Sequence, residues 1–482
     1  MKNLKGLVCL MMVMVLALSA SACKRANEAE ESVLTEIEYE YVYESQNKTE
    51  SSTDGNGADH SGASGNNGQS SNKTSSASNG NTSSSANQNA IKERAKKYRG
   101  TTVRYATWAN PERNEDGPVI KAFEKEYGID VKIDLIGQGE YLRTIAGYIA
   151  SGDSPDIYFC NNDFPSCLTC LQPISAAQLD KSDPIWDQDM FNSSTINGKT
   201  YLINTVKNVW NEVDCVFYNK RLFKDHNITT PEEYYKQGKW NLDTLTKAMR
   251  DVKNIGSDYV GGYLDWETIM GMTGTGFYKW ENGKFSNGSN TMLADAARYL
   301  ATCAKEGLIK GIFNYDLRDE FINGKVGIAI TNAFGLKKTG YWGKMNTDNI
   351  GFTYLPDWSA SQKSAVTGLY RGWGIIKGAK NPVAAGIFLR HYLDADNYDT
   401  NDTFINAEAA SFFFQLTGKA VGQKKNLSLV SGTYSVTNTP LGTFAYVAKG
   451  DPAQVDSRLS SIQNTLNNNV RTLNDFIAQQ TK

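Results

Sequence analysis

Three histidines and seven cysteines in 482 residues leave few groups for metal or nucleophilic chemistry. His226 and His391 each stand alone, and His60 lies in a polar tract. Cys160, Cys167, Cys170, Cys215 and Cys303 fall in the body of the chain. Cys167-Leu168-Thr169-Cys170 has the spacing of a redox or metal pair, but no second such pair completes a four-ligand set. Buried thiols or one disulfide are therefore expected, and no metal. No GxSxG, HExxH or GxxxxGKS/T motif occurs, and no carboxylate pair is singled out for glycoside chemistry. No catalytic residue and no cofactor are expected.

Stacking chemistry is better supplied, with 25 Tyr, 19 Phe and 9 Trp. Trp108, Trp210, Trp266, Trp342 and Trp373 fall in predicted loops, near Asn, Asp or Gly. An indole face covers the apolar C–H face of a sugar ring, while nearby acids, amides and Arg bond its hydroxyls. In an open α/β sheet, loops at the carboxyl ends of strands line the ligand crevice. Lys and Arg number 50 against 52 Asp and Glu, so no basic excess is available for phosphates and nucleic acid is excluded as a partner.

The elements that position these loops alternate. Thr102–Ala106 reads as a strand, Pro118–Tyr127 as a helix closed by Gly128, and Ile129–Ile136 as a second strand. Tyr141–Ala150 is an amphipathic helix and Asp156–Cys160 a third strand. This βαβαβ order predicts a parallel sheet with right-handed crossovers. Thr230-Pro231-Glu232-Glu233 is a capping box, and Asn381-Pro382 opens another helix. Asp451-Pro452 opens a long final helix striped by Val455, Leu459, Ile462, Leu466, Val470, Leu473 and Ile477, which Asn467–Asn469 would interrupt.

The first 97 residues are of another kind. Lys2 and Lys5 precede the apolar run Leu7–Leu18, which is short for a permanent span of a bilayer core of about 30 Å. Small residues then lead to Cys23, so residues 1–22 read as an export signal ending in a lipobox, with Cys23 the lipidated residue. Residues 28–44 are acidic, and residues 44–90 contain no Val, Ile, Leu, Met, Phe, Trp, Tyr or Cys. Such a tract has nothing to bury and reads as a flexible tether over residues 23–97.

The remaining body resembles the extracellular solute-binding proteins of ABC importers, family 1, of the maltose-binding type. The resemblance rests on FEKEYGIDVKI (Phe123–Ile133), SGDSPDIYF (Ser151–Phe159), VFYNKRLF (Val216–Phe223), FINGKVGIAI (Phe321–Ile330) and GWGIIKGAKNPVAAGIFL (Gly372–Leu389). It implies a type II periplasmic-binding-protein fold. Two α/β lobes, each a mainly parallel sheet flanked by helices, meet at a hinge cleft. Residues 98–206 and 368–425 would form one lobe, and residues 207–367 and 426–482 the other. Crossings are expected near Ile203–Asn208 and Val366–Tyr370.

The ligand set implied by the resemblance is Trp108, Asn110, Glu112 and Arg113 after the first strand, and Asp163 with Asn162 after the PDI strand. Glu212 stands before the YNK tyrosine, Trp266 on the second wall, and Phe334 where the family places a stacking Trp. Arg371 and Trp373 border the GWGII segment. Cys160 replaces a further stacking Trp, so maltodextrin specificity is not implied. The expected protein is a monomeric, membrane-anchored receptor on the extracellular face of a bacterial cell membrane. It would bind a carbohydrate and deliver it to ABC importer permease subunits. A binder or sensor for another small solute, a surface glycan hydrolase and an adhesin are the alternatives.

Overall fold

The computed structural model describes residues 89–108, 117–206, 208, 213–310, 317–342, 344–394, 403–420, 426–428, 436–437 and 440–482. The signal segment, Cys23 and the tether up to residue 88 lie outside the described residues; the tether's expected last residues, 89–97, are instead helical, because Ile91 and Ala95 have a core to pack into. The described elements belong to one compact unit, Asn79–Lys482. Among the described residues no helix is long and apolar enough to cross a membrane.

The chain begins as its periodicity predicts. Strand β1 (Thr102–Thr107) leads to the helix Gly117–Tyr127, then β2 (Asp130–Leu135), the helix Tyr141–Ser151 and β3 (Ile157–Asn161). The first helix buries Val119, Ile120, Phe123 and Tyr127 against the sheet. It stops at Gly128, whose φ of +64° is comfortable only without a β-carbon. Strand β4 (Leu171–Gln172) follows, then the small hairpin β5 (Thr195–Ile196) and β6 (Lys199–Thr200). The chain next enters a second sheet with β7 (Asp214–Asn219) and β8 (Val260–Leu264). A hairpin of β9 (Tyr278–Glu281) and β10 (Lys284–Asn287) precedes β11 (Val326–Asn332) and β12 (Ile350–Thr353). Strand β13 (Thr367–Leu369) leads back into β14 (Arg371–Ile376), and β15 (Asn426–Ser428) pairs with β13.

The two sheets share one plan. The first runs β2-β1-β3-β14-β4 and the second β12-β7-β11-β8. In the first, β1 pairs parallel with β2 and β3, and β14 is antiparallel to β3 and β4. In the second, β11 pairs parallel with β8, and β7 is antiparallel to β11 and β12. Each sheet thus has a single reversed strand, and it is the strand that has just arrived from the other sheet. The incoming segments touch: Ile203 bridges Trp373 and Val213 bridges Gly368.

Helices cover both sheets. The helix Pro382–Tyr392 packs Phe388 on Phe123 with ring centroids 5.0 Å apart. The helix Leu242–Lys253 buries Leu245, Ala248, Met249 and Val252. It lies directly on β8, because a β-carbon at Gly261 would stand 2.7 Å from the Met249 carbonyl oxygen. The expected capping box is formed: Thr230 Oγ1 accepts from the Glu233 amide at 3.1 Å, and Glu233 Oε2 accepts from the Thr230 amide at 2.7 Å.

The last helix departs from expectation. It breaks at Ile462, between Val455–Ser461 and Gln463–Gln480, and runs unbroken through Asn467–Asn469. These asparagines are bonded rather than helix-breaking. Asn469 donates to the Tyr278 hydroxyl at 2.7 Å. Further along, Asn474 accepts from the Phe285 amide at 2.8 Å and donates to its carbonyl at 3.0 Å, pairing with the hairpin edge like a strand. The hairpin also reaches elements of the first-sheet side. Trp280 donates to the Ser193 carbonyl and packs on Phe164, and at the end of the last helix Thr481 bonds Asn197 at 3.2 Å.

Candidate functional site

The carboxyl end of the first sheet collects three side chains. Trp108 follows β1, Asn161 ends β3, and Arg371 opens β14 in register with Asn161. The Arg371 guanidinium lies 5.2 Å over the Phe159 ring, and its Nε is 3.4 Å from Asn161 Oδ1. Trp108 packs on the same Phe159 at 5.7 Å and stays half-exposed. A half-exposed indole and a half-exposed guanidinium result, both resting on the buried Phe159 ring.

Several expected ligand residues have other work here. Trp373 is 3 % exposed, donates to the Tyr105 hydroxyl at 2.9 Å and packs between Phe159 and Tyr392. It is a core ring, not a stacking surface. Asn162 has a φ of +63° and is buried; its amide donates to the Tyr370 carbonyl at 2.8 Å and its Oδ1 accepts from the Tyr370 amide at 2.6 Å. It holds the returning segment through both bonds. Asp163 turns inward, with one oxygen accepting from the Tyr158 hydroxyl and the other from the Asn161 amide at 3.0 Å. Burial raises its pKa above the usual carboxylate range, against the pull of those bonds. Cys160 is fully buried beside it.

At the carboxyl end of the second sheet, β8 gives way to Asp265, which caps the helix Trp266–Met272 by accepting from the Glu267 amide at 3.0 Å. Burial, with the Glu267 carboxylate beside it, pushes Asp265 up to about 7. Burial and the Asp265 charge likewise push the Tyr263 hydroxyl well above its ordinary value. Strand β11 ends at Asn332, whose Oδ1 accepts from the Phe334 amide at 3.1 Å and the Tyr341 hydroxyl at 3.0 Å. Phe334 and Tyr341 pack edge to face at 5.3 Å, with Arg318 5.7 Å over the Tyr341 ring. Trp266, expected on this wall, is 1 % exposed and packs 4.9 Å from Phe444. As the first helical residue it turns into the core, and its neighbours Tyr263, Asp265 and Glu267 take the half-exposed positions.

One short segment joins the two ends. Arg371 faces Asn161 on the first sheet, and Gly368, three residues earlier, faces Val213 next to Asp214, which is in register with Asn332 on the second. Three residues of extended chain span at most about 11 Å, so both ends flank the same strip of backbone. Asn204 Nδ2 donates to the Arg371 carbonyl at 2.9 Å and ties the outgoing segment to the returning one. Asn110, Glu112, Arg113 and Glu212, as well as Trp210, lie outside the described residues.

Tyr263, Asp265, Glu267, Asn332 and Tyr341 were missed because tryptophan served as the marker. The available signal was the abrupt change from an apolar strand to acid or amide, as in YLDWE and AITNAF.

The family model described as bacterial extracellular solute-binding protein matches residues 108–399. Comparison with curated protein sequences returns no match. Among solved structures, the GacH receptor of Streptomyces glaucescens, studied unliganded and with acarbose, shares 16% identity at a TM-score of 0.54, covering 79% of this chain and 98% of that one. The galacto-N-biose/lacto-N-biose I-binding protein of an ABC transporter from Bifidobacterium longum shares 16% at 0.57, covering 77% and 97%. An extracellular solute-binding protein from Staphylococcus aureus, in complex with maltose, shares 17% at 0.55, covering 77% and 98%. At these identities the likeness is one of fold: two α/β lobes of the type II periplasmic-binding-protein class.

Proposed function

The chain belongs to the bacterial extracellular solute-binding proteins, and from that membership we propose that its solute is a carbohydrate of oligosaccharide size. It is captured between the two lobes and delivered to the permease subunits of an ABC importer. The observation that carries this reading is the pairing of two unlike surfaces across residues 368–371. One offers Trp108 and Arg371, backed by the buried Phe159 ring. The other offers Tyr263, Asp265, Glu267, Phe334 and Tyr341, the last two held by the buried Asn332. Rings suit the C–H faces of a sugar, and amides, carboxylates and hydroxyls suit its OH groups. Asn110, Glu112, Arg113 and Glu212 belong to the proposal as flanking contacts.

The mechanism follows from the connectivity. A ligand touching both surfaces binds the closed arrangement better than the open one, and this difference alone drives closure. The crossings near Ile203–Asn208 and Val366–Tyr370 act as the hinge, because few residues there must change φ and ψ. On this reading residues 98–206 with 368–425 move against residues 207–367 with 426–482. Residues 1–22 serve as export signal and Cys23 as the lipid anchor. The tether between Cys23 and the helix that starts at residue 89 places a monomeric receptor outside the cell membrane. Binding proceeds without turnover.

A thermal-shift screen of the exported chain over mono- and oligosaccharides, followed by calorimetry and solution scattering, tests the proposal. The expected result is saturable binding, a raised melting temperature and compaction. Released glycan products would replace the receptor with a hydrolase. A shift only with non-carbohydrate solutes would change the ligand class.

A further inference from the structure

Behind the first surface three potential metal ligands converge on one point. Cys160 is in β3, Asp163 is in the turn that follows, and Cys167 lies in the short 3-10 helix Ser166–Thr169. Their sulfur and carboxylate oxygen atoms all lie within 4.8 Å of one another. Both thiols are fully buried. Among the described residues no Lys, Arg or His bonds to any of the three. The ammonium of Lys377, close in the fold, is held instead by the Leu168 and Thr169 carbonyls at 3.1 and 3.0 Å.

We infer that Cys160, Asp163 and Cys167 form a binding site for a thiophilic d10 cation of the Zn(II) class. Two thiolates and one carboxylate form a ligand set that such an ion accepts. Tetrahedral coordination at ordinary Zn–S and Zn–O lengths puts ligand atoms about 3.6–3.8 Å apart. Closing the cluster on an ion therefore takes movements of about 1 Å. A disulfide between Cys160 and Cys167 would use two of the groups, whereas a cation engages all three, including the half-exposed Asp163. Each thiol releases its proton to solvent on binding, and the two thiolates and the carboxylate bond the ion. Tyr158, which hydrogen-bonds Asp163, orients the carboxylate.

The placement couples this site to the ligand surface. Asn161 and Asn162 lie between two of the three ligands; one faces Arg371 and the other holds Tyr370. A bound ion ties the end of β3 to the 3-10 helix and stiffens the turn that carries both asparagines. The cation site is independent of which solute the chain binds.

The test uses the full exported chain, reduced and stripped of metal, titrated with Co(II) as a spectroscopic probe. A sulfur-to-cobalt charge-transfer band should saturate at one equivalent and vanish on addition of Zn(II), which should also raise the melting temperature. C160S and C167S should lose the band, while C170S and C303S keep it. D163N, which retains both thiols, should weaken cobalt binding at least tenfold, and it guards against misfolding of the cysteine variants. Absence of the band in the reduced wild-type chain, its persistence in C160S/C167S, or unchanged affinity in D163N overturns the site. Peptide mapping that finds Cys160 and Cys167 joined by a disulfide in the exported protein overturns it as well.

Discussion

At its carboxyl end the first sheet carries two rings and a guanidinium, Trp108, Phe159 and Arg371, while the second carries carboxylates, an amide and phenols around Asp265, Asn332 and Tyr341. The two ends share a plan: parallel neighbours, one reversed strand, and polar residues where the strands stop. What differs is how each end treats its tryptophans. Trp108 comes after its strand has ended and stays half-exposed, whereas Trp373 sits inside a strand and Trp266 opens a helix, and both are buried. Position relative to the end of an element, more than residue type, decides whether a ring is buried in the core or left half-exposed.

The largest expected effect separates these two roles. Trp373→Ala should destabilise the fold by about 3–5 kcal/mol, the usual cost of emptying a large core site. Trp108→Ala should leave the denaturant midpoint nearly unchanged and weaken sugar binding. Equal stability losses in the two variants would erase the distinction. Next in size, Arg371→Ala should lower affinity by roughly 10–100-fold in calorimetry, corresponding to about 1.5–3 kcal/mol for a charged hydrogen bond. If its affinity stays at the wild-type level, the first surface is not a ligand wall.

On the second surface, Tyr341→Phe removes the hydroxyl bonded to Asn332 and should cost about 0.5–1.5 kcal/mol of stability or affinity. A subtler contrast is in pH. The Asp265 carboxyl is pushed up to about 7 in the folded chain, against about 3.9 when unfolded. Between those values the folded state holds the extra proton, so stability falls as pH rises through the window. Asp265→Asn keeps the helix cap and should flatten that slope, gaining more in melting temperature at pH 7.5 than at pH 5. A wild-type melting temperature that rises from pH 5 to 7.5, with the variant parallel to it, would falsify the assignment.

Local pattern by itself determined the opening βαβαβ unit, the Gly128 stop, the Thr230 capping box and the apolar stripe of the last helix. Each is set by residues three or four positions apart, within reach of one another before the chain folds. The match over residues 108–399 and the shared fold agree with the family likeness read from the motifs. Tertiary structure alone decided the rest. The asparagines at 467–469 look like a helix break, but one is bonded to Tyr278 far away in sequence. Asn162 and Asp163 look like ligand contacts, but one is bound to Tyr370 and the other turns to Tyr158. Asp265 and Asn332 are 67 positions apart, and only the parallel pairing of β8 with β11 puts both at one sheet end. A side chain's bonding partner depends on non-local strand pairing, and composition and spacing carry no information about which distant backbone group will arrive beside it.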